Sequence, residues 1–162
     1  MGEVGVWAKP DDFEKTDRQM LGLARKSPAL ARLVLGTTGW LARRAPKMAM
    51  KSFEKQLIAP DLAVVATLQP PDEAMALFTQ AFLRGAHGVV ADYLTLAQPW
   101  GVTFDDMKMP FAVFHGDADS MVPLRHGEEL VARVPGATLT VWPGEGHLGT
   151  VTHVGEILDA LK

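Results

Sequence analysis

One stretch of the chain, residues 109–148, constrains the fold more than any other. It contains two short apolar segments, 111–114 and 138–142, and each ends just before a loop that carries polar residues. The first segment is continuously apolar, as in a parallel strand covered on both faces, and the second is rich in β-branched residues. A segment typical of a helix, 123–134, lies between them. The order strand, helix, strand predicts a right-handed parallel crossover.

Two side chains that follow these predicted strands are candidates for an acid–histidine pair. Asp119 follows the first strand, and His147 follows the second. In parallel α/β sheets, ligands and chemistry collect at the carboxyl ends of the strands. A carboxylate at this place orients an imidazole and stabilises its charged form. We therefore predict that Asp119 and His147 lie within hydrogen-bond reach of each other.

The pattern resembles the C-terminal part of the α/β-hydrolase family. In that family the order along the chain is nucleophile, acid, histidine. The resemblance implies that Asp119 is the acid and His147 the histidine. Asp117 could compete for the acid position, but the family's spacing from Gly116 favours Asp119. The resemblance rests on Pro110, on Gly116-x-x-Asp119 followed by Val122-Pro123, on Pro135-Gly136-Ala137, and on Gly146-His147-Leu148.

The nucleophile motif of that family, Gly-x-Ser-x-Gly, does not occur in this sequence. The three serines are Ser27, Ser52 and Ser120, and none is flanked by glycines at the spacing of a strand-to-helix elbow. The resemblance therefore implies that the chain corresponds to the cap and C-terminal parts of a hydrolase. What has no counterpart is the first six strands, the nucleophile and the oxyanion hole. We expect the chain to be inactive alone.

The patterns predict the α/β fold class, and the resemblance implies a partial α/β-hydrolase fold. Helical patterns separated by prolines fill the first hundred residues, and the character changes at residues 99–101. Residues 1–98 are expected to form a helical cap-like region, and residues 99–162 a C-terminal core segment with a β-α-β-α unit. The two glycines of the segment 36–39 are expected to weaken or split the second helix. A single last helix is expected over 150–161.

Composition and charge limit the chemistry available. The chain has 162 residues, no cysteine and a formal net charge of −3. Disulfides, thiol nucleophiles and cysteine-ligated metals are therefore excluded, and nothing indicates a nucleic-acid partner. The pattern His115-x-Asp117-x-Asp119 could suggest a metal site, but Gly116 and Ala118 favour a turn, so we expect neither metal nor cofactor. Lacking an apolar run of about 20 residues or a signal-peptide pattern, the chain is expected to be cytoplasmic, without a membrane span.

Two functions remain open at this point. In the first, the complete enzyme hydrolyses an ester, amide or similar small molecule by a serine–aspartate–histidine mechanism, on a small apolar or ester-like substrate. In the second, the chain is a non-catalytic module derived from the hydrolase fold, which binds a small ligand or another protein. An incomplete sheet would expose an unpaired strand edge, so a partner chain or self-association is expected.

Overall fold

The computed structural model describes residues 15–67, 79–96, 98, 103–104, 107–160 and 162. The chain divides into two compact units. The helical unit comprises Lys15–Leu57 and the described residues of Ala66–Pro99, and the sheet unit comprises Ile58–Val65 and the described residues of Trp100–Lys162. In chain order the elements are α1 (Lys15–Lys26), α2 (Pro28–Arg44), α3 (Pro46–Glu54), α4 (Ala59–Thr67), α5 (His87–Leu96), β1 (Ala112–Gly116), α6 (Arg125–Arg133), β2 (Thr138–Trp142), α7 (Gly149–Thr152) and α8 (Val154–Asp159).

In the helical unit, α2 is one continuous helix, so the expected split at residues 36–39 is wrong. Ser27 caps its start by accepting the Leu30 N–H at 3.4 Å. Gly39 is buried, and a Cβ atom at that position would overlap the ring of Phe82. A close contact between the helix and this ring therefore compensates for the low helix propensity of glycine. The buried core of the unit is formed by Ala24, Ala31, Leu35, Phe82, Ala86 and Val90.

In the sheet unit, β1 and β2 pair in parallel, with Ala112 opposite Thr138 and Gly116 opposite Trp142. This confirms the parallel pairing, and α6 between the strands confirms the crossover helix. The expected full burial of the first strand is wrong, because Ala112 is exposed and the three residues after it are half-buried. In the described part of the chain β1 has one neighbouring strand, β2, and it contacts α6 and α7.

The single C-terminal helix expected over 150–161 is observed as two short helices, α7 and α8. The break falls at His153, whose backbone leaves the helical region at φ −103° and ψ 18°. Its ring stacks on Trp142 with 4.3 Å between the ring centroids. Trp142 in turn donates its indole N–H to Glu156 at 2.9 Å. Packing of His153 and α8 against the buried end of β2 thus accompanies the interruption of the helix.

The sequence Pro70-Pro71-Asp72-Glu73 is typical of a helix start, and Asp11 and Asp12 precede a predicted first helix. Both stretches lie outside the described residues. Among the helices that are described, none is long and apolar enough to cross a membrane.

Candidate active site

The side chains of Asp119 and His147 meet at the carboxyl ends of β1 and β2. Oδ2 of Asp119 lies 3.0 Å from Nδ1 of His147, which confirms the predicted hydrogen-bond contact. An ionised carboxylate can only accept hydrogen bonds, so Nδ1 carries the proton in this contact. The other ring nitrogen, Nε2, then holds the lone pair of the neutral imidazole. The histidine is thereby set to accept a proton at Nε2.

The loop after β1, residues 117–124, is called the acid loop here, and it fixes the Asp119 carboxylate. Oδ1 accepts the backbone N–H groups of Met121 and Val122, each at 2.8 Å. Aspartate commonly accepts hydrogen bonds from the backbone two residues further on, which is why it is favoured in turns. The side chain of Asp119 is only 6% exposed. One oxygen therefore holds the loop, and the other remains for His147.

A second imidazole borders the carboxylate. Nε2 of His115 lies 2.8 Å from the carbonyl oxygen of Val122 and 3.7 Å from Oδ2 of Asp119. Because a carbonyl oxygen only accepts, the Nε2–H of His115 donates to Val122. This bond ties the end of the acid loop to β1. The sequence indicates a structural or exposed histidine at His115, with a metal ligand as the alternative. Its place one residue before the end of β1 is the signal for its contact with the loop.

Asp117, the competing candidate for the acid, has a different partner. Its Oδ1 accepts the Gly144 N–H at 2.7 Å, in the loop after β2, residues 143–148, which is called the histidine loop here. The same two loops are joined where the Ala118 N–H donates to the carbonyl oxygen of Glu145 at 3.0 Å. A Cβ atom at Gly116 would overlap that carbonyl. Asp117 and Gly116 therefore join the acid loop to the histidine loop, and Asp119 alone of the two acids contacts His147.

A residue that sequence reasoning did not select, Asp61, lies directly behind the histidine loop. It belongs to the first turn of α4, where an acid is favoured by the helix dipole. Its side chain is buried, with 1% exposure, and Oδ1 accepts the Leu148 N–H at 2.7 Å. A Cβ atom at Gly146 would overlap both carboxylate oxygens of Asp61. An aspartate beside Pro60 indicates a helix start and nothing more, so the sequence contained no local signal for this contact.

The electrostatics of the pair follow from these contacts. Burial alone would raise the pKa of Asp119, but the hydrogen bond with His147 and the N–H donors of Val122 and Met121 outweigh it and lower the pKa below 3.8. The hydrogen bond to Asp119 raises the pKa of His147 above 6.5 against the effect of burial, and the charges of Asp119 and Asp61 add to the rise. Each partner thus favours the charged form of the other.

A cavity of about 180 Å³ opens beside the pair. The rings of Phe114 and Trp142, which stack with centroids 5.5 Å apart, form part of its wall. It therefore combines an aromatic surface with a small number of polar side chains, which is the kind of lining that small-molecule sites have. The lining residues are Phe114, His115, Gly116, Asp119, Val122, Trp142, Gly146, His147 and Thr150.

Within the described part of the sheet unit, Ser120 has no hydrogen bond to His147. Ser27 caps α2, Ser52 lies in α3, and Ser120 is exposed directly after Asp119. Within the same residues no group of three or more His, Cys, Asp or Glu side chains could hold a metal ion. The pattern of His115, Asp117 and Asp119 does not converge, because Asp117 bonds to Gly144.

Comparisons with known proteins place this geometry in context. Over 54 residues, the chain is 33% identical to a pimeloyl-[acyl-carrier protein] methyl ester esterase of Aromatoleum aromaticum, a match that spans 33% of this chain and 22% of that protein. No protein-family model matches the chain.

Two solved esterase structures are also similar. An esterase of Exiguobacterium antarcticum has a TM-score of 0.48 and 14% identity over 80% of this chain and 46% of its own. A thermophilic esterase of Thermogutta terrifontis, with malate bound, has a TM-score of 0.46 and 20% identity over 82% and 48%. The chain thus spans about half the length of these esterases.

The sequence match and the acid and histidine motifs relate the chain to the α/β-hydrolase family. Its parallel β-α-β-α unit, preceded by a mostly helical region, is a partial α/β fold, consistent with that relationship.

Proposed function

We propose that the chain carries the acid and the histidine of a serine-type α/β-hydrolase, with His147 as general base and Asp119 as the residue that orients it. Residues 1–98 act as the cap-like region of that enzyme, and residues 99–162 as its C-terminal core segment. The observation that supports the proposal is the 3.0 Å contact between Asp119 Oδ2 and His147 Nδ1, with Oδ1 held by two backbone N–H groups. A carboxylate held in this way fixes both the tautomer and the orientation of the imidazole.

In the proposed mechanism Nε2 of His147 accepts the proton of a serine hydroxyl as its oxygen attacks the carbonyl carbon of the substrate. The imidazolium that forms is stabilised by the Asp119 carboxylate, and its proton then passes to the leaving oxygen or nitrogen. A water molecule then attacks the acyl-serine in the same way, with His147 again accepting and returning a proton, and this step releases the carboxylic acid and the free serine. The serine comes from outside this chain, because none of Ser27, Ser52 and Ser120 stands in an elbow motif. The chain by itself is inactive.

The substrate we propose is a small apolar or ester-like molecule. The aromatic rings of Phe114 and Trp142 in the cavity wall favour an apolar group next to the reacting carbonyl. The relative from Aromatoleum aromaticum is a methyl ester esterase by name, which favours an ester over an amide. A cytoplasmic location is part of the same proposal.

A second candidate function is that of a non-catalytic binding or interaction module. It is favoured by large apolar side chains that the helical unit exposes, among them Leu33 at 64%, Met48 at 69% and Leu83 at 71%. Exposed apolar surface of this kind marks contact sites for ligands or proteins. The two functions differ in whether His147 matters: it is essential to a hydrolase and dispensable to such a module.

The experiment supplies the chain with the polypeptide encoded directly upstream of Met1, made separately, and follows hydrolysis of p-nitrophenyl butyrate. We expect hydrolysis only in the mixture, with a loss of about 10³-fold or more in His147→Ala. His87→Ala, a change at an exposed position at the start of α5, is the matched control and should keep full activity. A mixture that binds but has no hydrolysis, or activity that survives His147→Ala, contradicts the proposal and favours the binding module.

A further inference from the structure

The Asp61 carboxylate contacts the histidine loop on both sides of His147. On one side, Oδ1 accepts the Leu148 N–H at 2.7 Å. On the other, the carboxylate lies so close to Gly146 that a Cβ atom there would overlap it. Asp61 and Leu148 are 87 positions apart in the sequence. The backbone that presents the imidazole is therefore held from behind by a side chain of α4.

A buried carboxylate with few partners is costly, which makes its presence informative. Asp61 is 1% exposed, and within the described residues its Oδ2 accepts no hydrogen bond. Leaving a buried charge incompletely paired is unfavourable unless another charge compensates it. The Asp61 charge favours protonation of the His147 imidazole. His147 is also bonded to Asp119, and Glu145, the neighbour of Gly146 in the sequence, lies 3.6 Å from His153.

We propose that Asp61 is a positioning residue for His147, anchoring the backbone at Gly146 and Leu148 and placing a second negative charge behind the loop that carries the imidazole. The assignment rests on the proposed role of His147 as general base. Asp119 orients the ring through Nδ1, whereas Asp61 holds the loop that carries the ring. In the working enzyme both carboxylates would stabilise the imidazolium that forms when Nε2 accepts a proton.

The test separates the hydrogen bond from the charge and requires no turnover. Asp61→Asn keeps an oxygen for the Leu148 N–H and removes the charge, whereas Asp61→Ala removes both. In the full chain, nuclear magnetic resonance follows the titration midpoint of the His147 ring and the exchange rate of the Leu148 amide. Asp159→Asn, at an exposed residue of α8 that pairs with Lys162, is the matched control.

For Asp61→Asn we expect the His147 midpoint to fall by about 0.3 to 1 pH units, less than the full effect of an adjacent opposite charge, with little change in Leu148 exchange. For Asp61→Ala we expect the same fall and Leu148 exchange about tenfold faster or more. An unchanged His147 midpoint in Asp61→Asn, or unchanged Leu148 exchange in Asp61→Ala, overturns the proposal.

Two further measurements complete the test. Coupling across the hydrogen bond between the Leu148 amide nitrogen and the Asp61 carboxyl carbon is expected in the unmodified chain, and its absence overturns the assignment even where a variant fails to fold. In the active mixture, Asp61→Asn should shift the acid limb of the kcat/KM profile to lower pH by the amount seen in the His147 titration. A mixture without activity contradicts the proposed hydrolase and leaves the resonance result on Asp61 intact.

Discussion

Nδ1 of His147 lies 3.0 Å from Oδ2 of Asp119, although 28 positions separate the two residues in the sequence. The parallel crossover makes this possible, because it brings the carboxyl ends of β1 and β2 to one edge of the sheet. The contact lowers the pKa of Asp119 and raises that of His147. The stabilisation that the contact provides therefore depends on pH.

The stabilisation from this pair should be greatest between pH 3.8 and pH 6.5, the usual pKa values of the two groups. Because the folded pKa of Asp119 is lowered, its contribution is present above 3.8 and is lost as the pH falls through the lowered value. Because the folded pKa of His147 is raised, its contribution is present below 6.5 and is lost as the pH rises through the raised value. Urea unfolding of the chain and of His147→Gln should differ most in this window. A difference that does not change with pH contradicts the pair.

Gly116→Ala should destabilise the sheet unit by about 1–3 kcal/mol. The added methyl group would meet the backbone carbonyl of Glu145, which cannot move without separating the acid loop from the histidine loop. Gly155→Ala in α8 is the control, because a Cβ atom there has nothing within 4 Å. It should be neutral or gain up to about 1 kcal/mol of helix propensity. Equal free energies of unfolding for the two variants would show that the loops do not approach as closely as described.

A second pair of glycines, both in α2, tests the helical unit. Gly39→Ala should destabilise it by about 1–3 kcal/mol, since the methyl group would overlap the ring of Phe82. Gly36→Ala has open space and should stabilise the same helix by up to about 1 kcal/mol. Thermal unfolding followed by circular dichroism measures both. Stabilisation by both substitutions would mean that α2 and Phe82 do not pack together.

Sequence reasoning was most successful where local pattern and position decide the structure. The predicted second strand, 138–142, coincides with β2, because its β-branched residues fit a pleated, half-buried surface. The Asp119–His147 contact was predictable because both residues follow strands of one parallel sheet. The continuity of α2 was not predictable, since it depends on how Gly39 packs against Phe82, which is 43 positions later in the sequence. Asp61 was missed for the same reason, as its partner lies 87 positions on.

Association should accompany the incomplete sheet. In the described part of the chain β1 pairs with β2 and with no other strand, and an unpaired strand edge is a template for pairing with another chain. Two strands are also few for a sheet that is stable by itself. Sedimentation at low micromolar concentration should therefore show oligomers, or a chain stabilised by a partner that supplies strands. A monomer with one cooperative thermal transition would show that the chain closes its own core.

The central claim is that this chain holds the acid and histidine of a hydrolase whose serine lies elsewhere. Labelling with a serine-directed fluorophosphonate tests this claim most directly. Intact-mass measurement of the chain alone should show no adduct, because no serine of the chain stands in an elbow motif. In the mixture with the upstream polypeptide, the adduct should appear on that polypeptide and depend on His147. An adduct on Ser120 of the chain alone, absent in Ser120→Ala, would contradict the account.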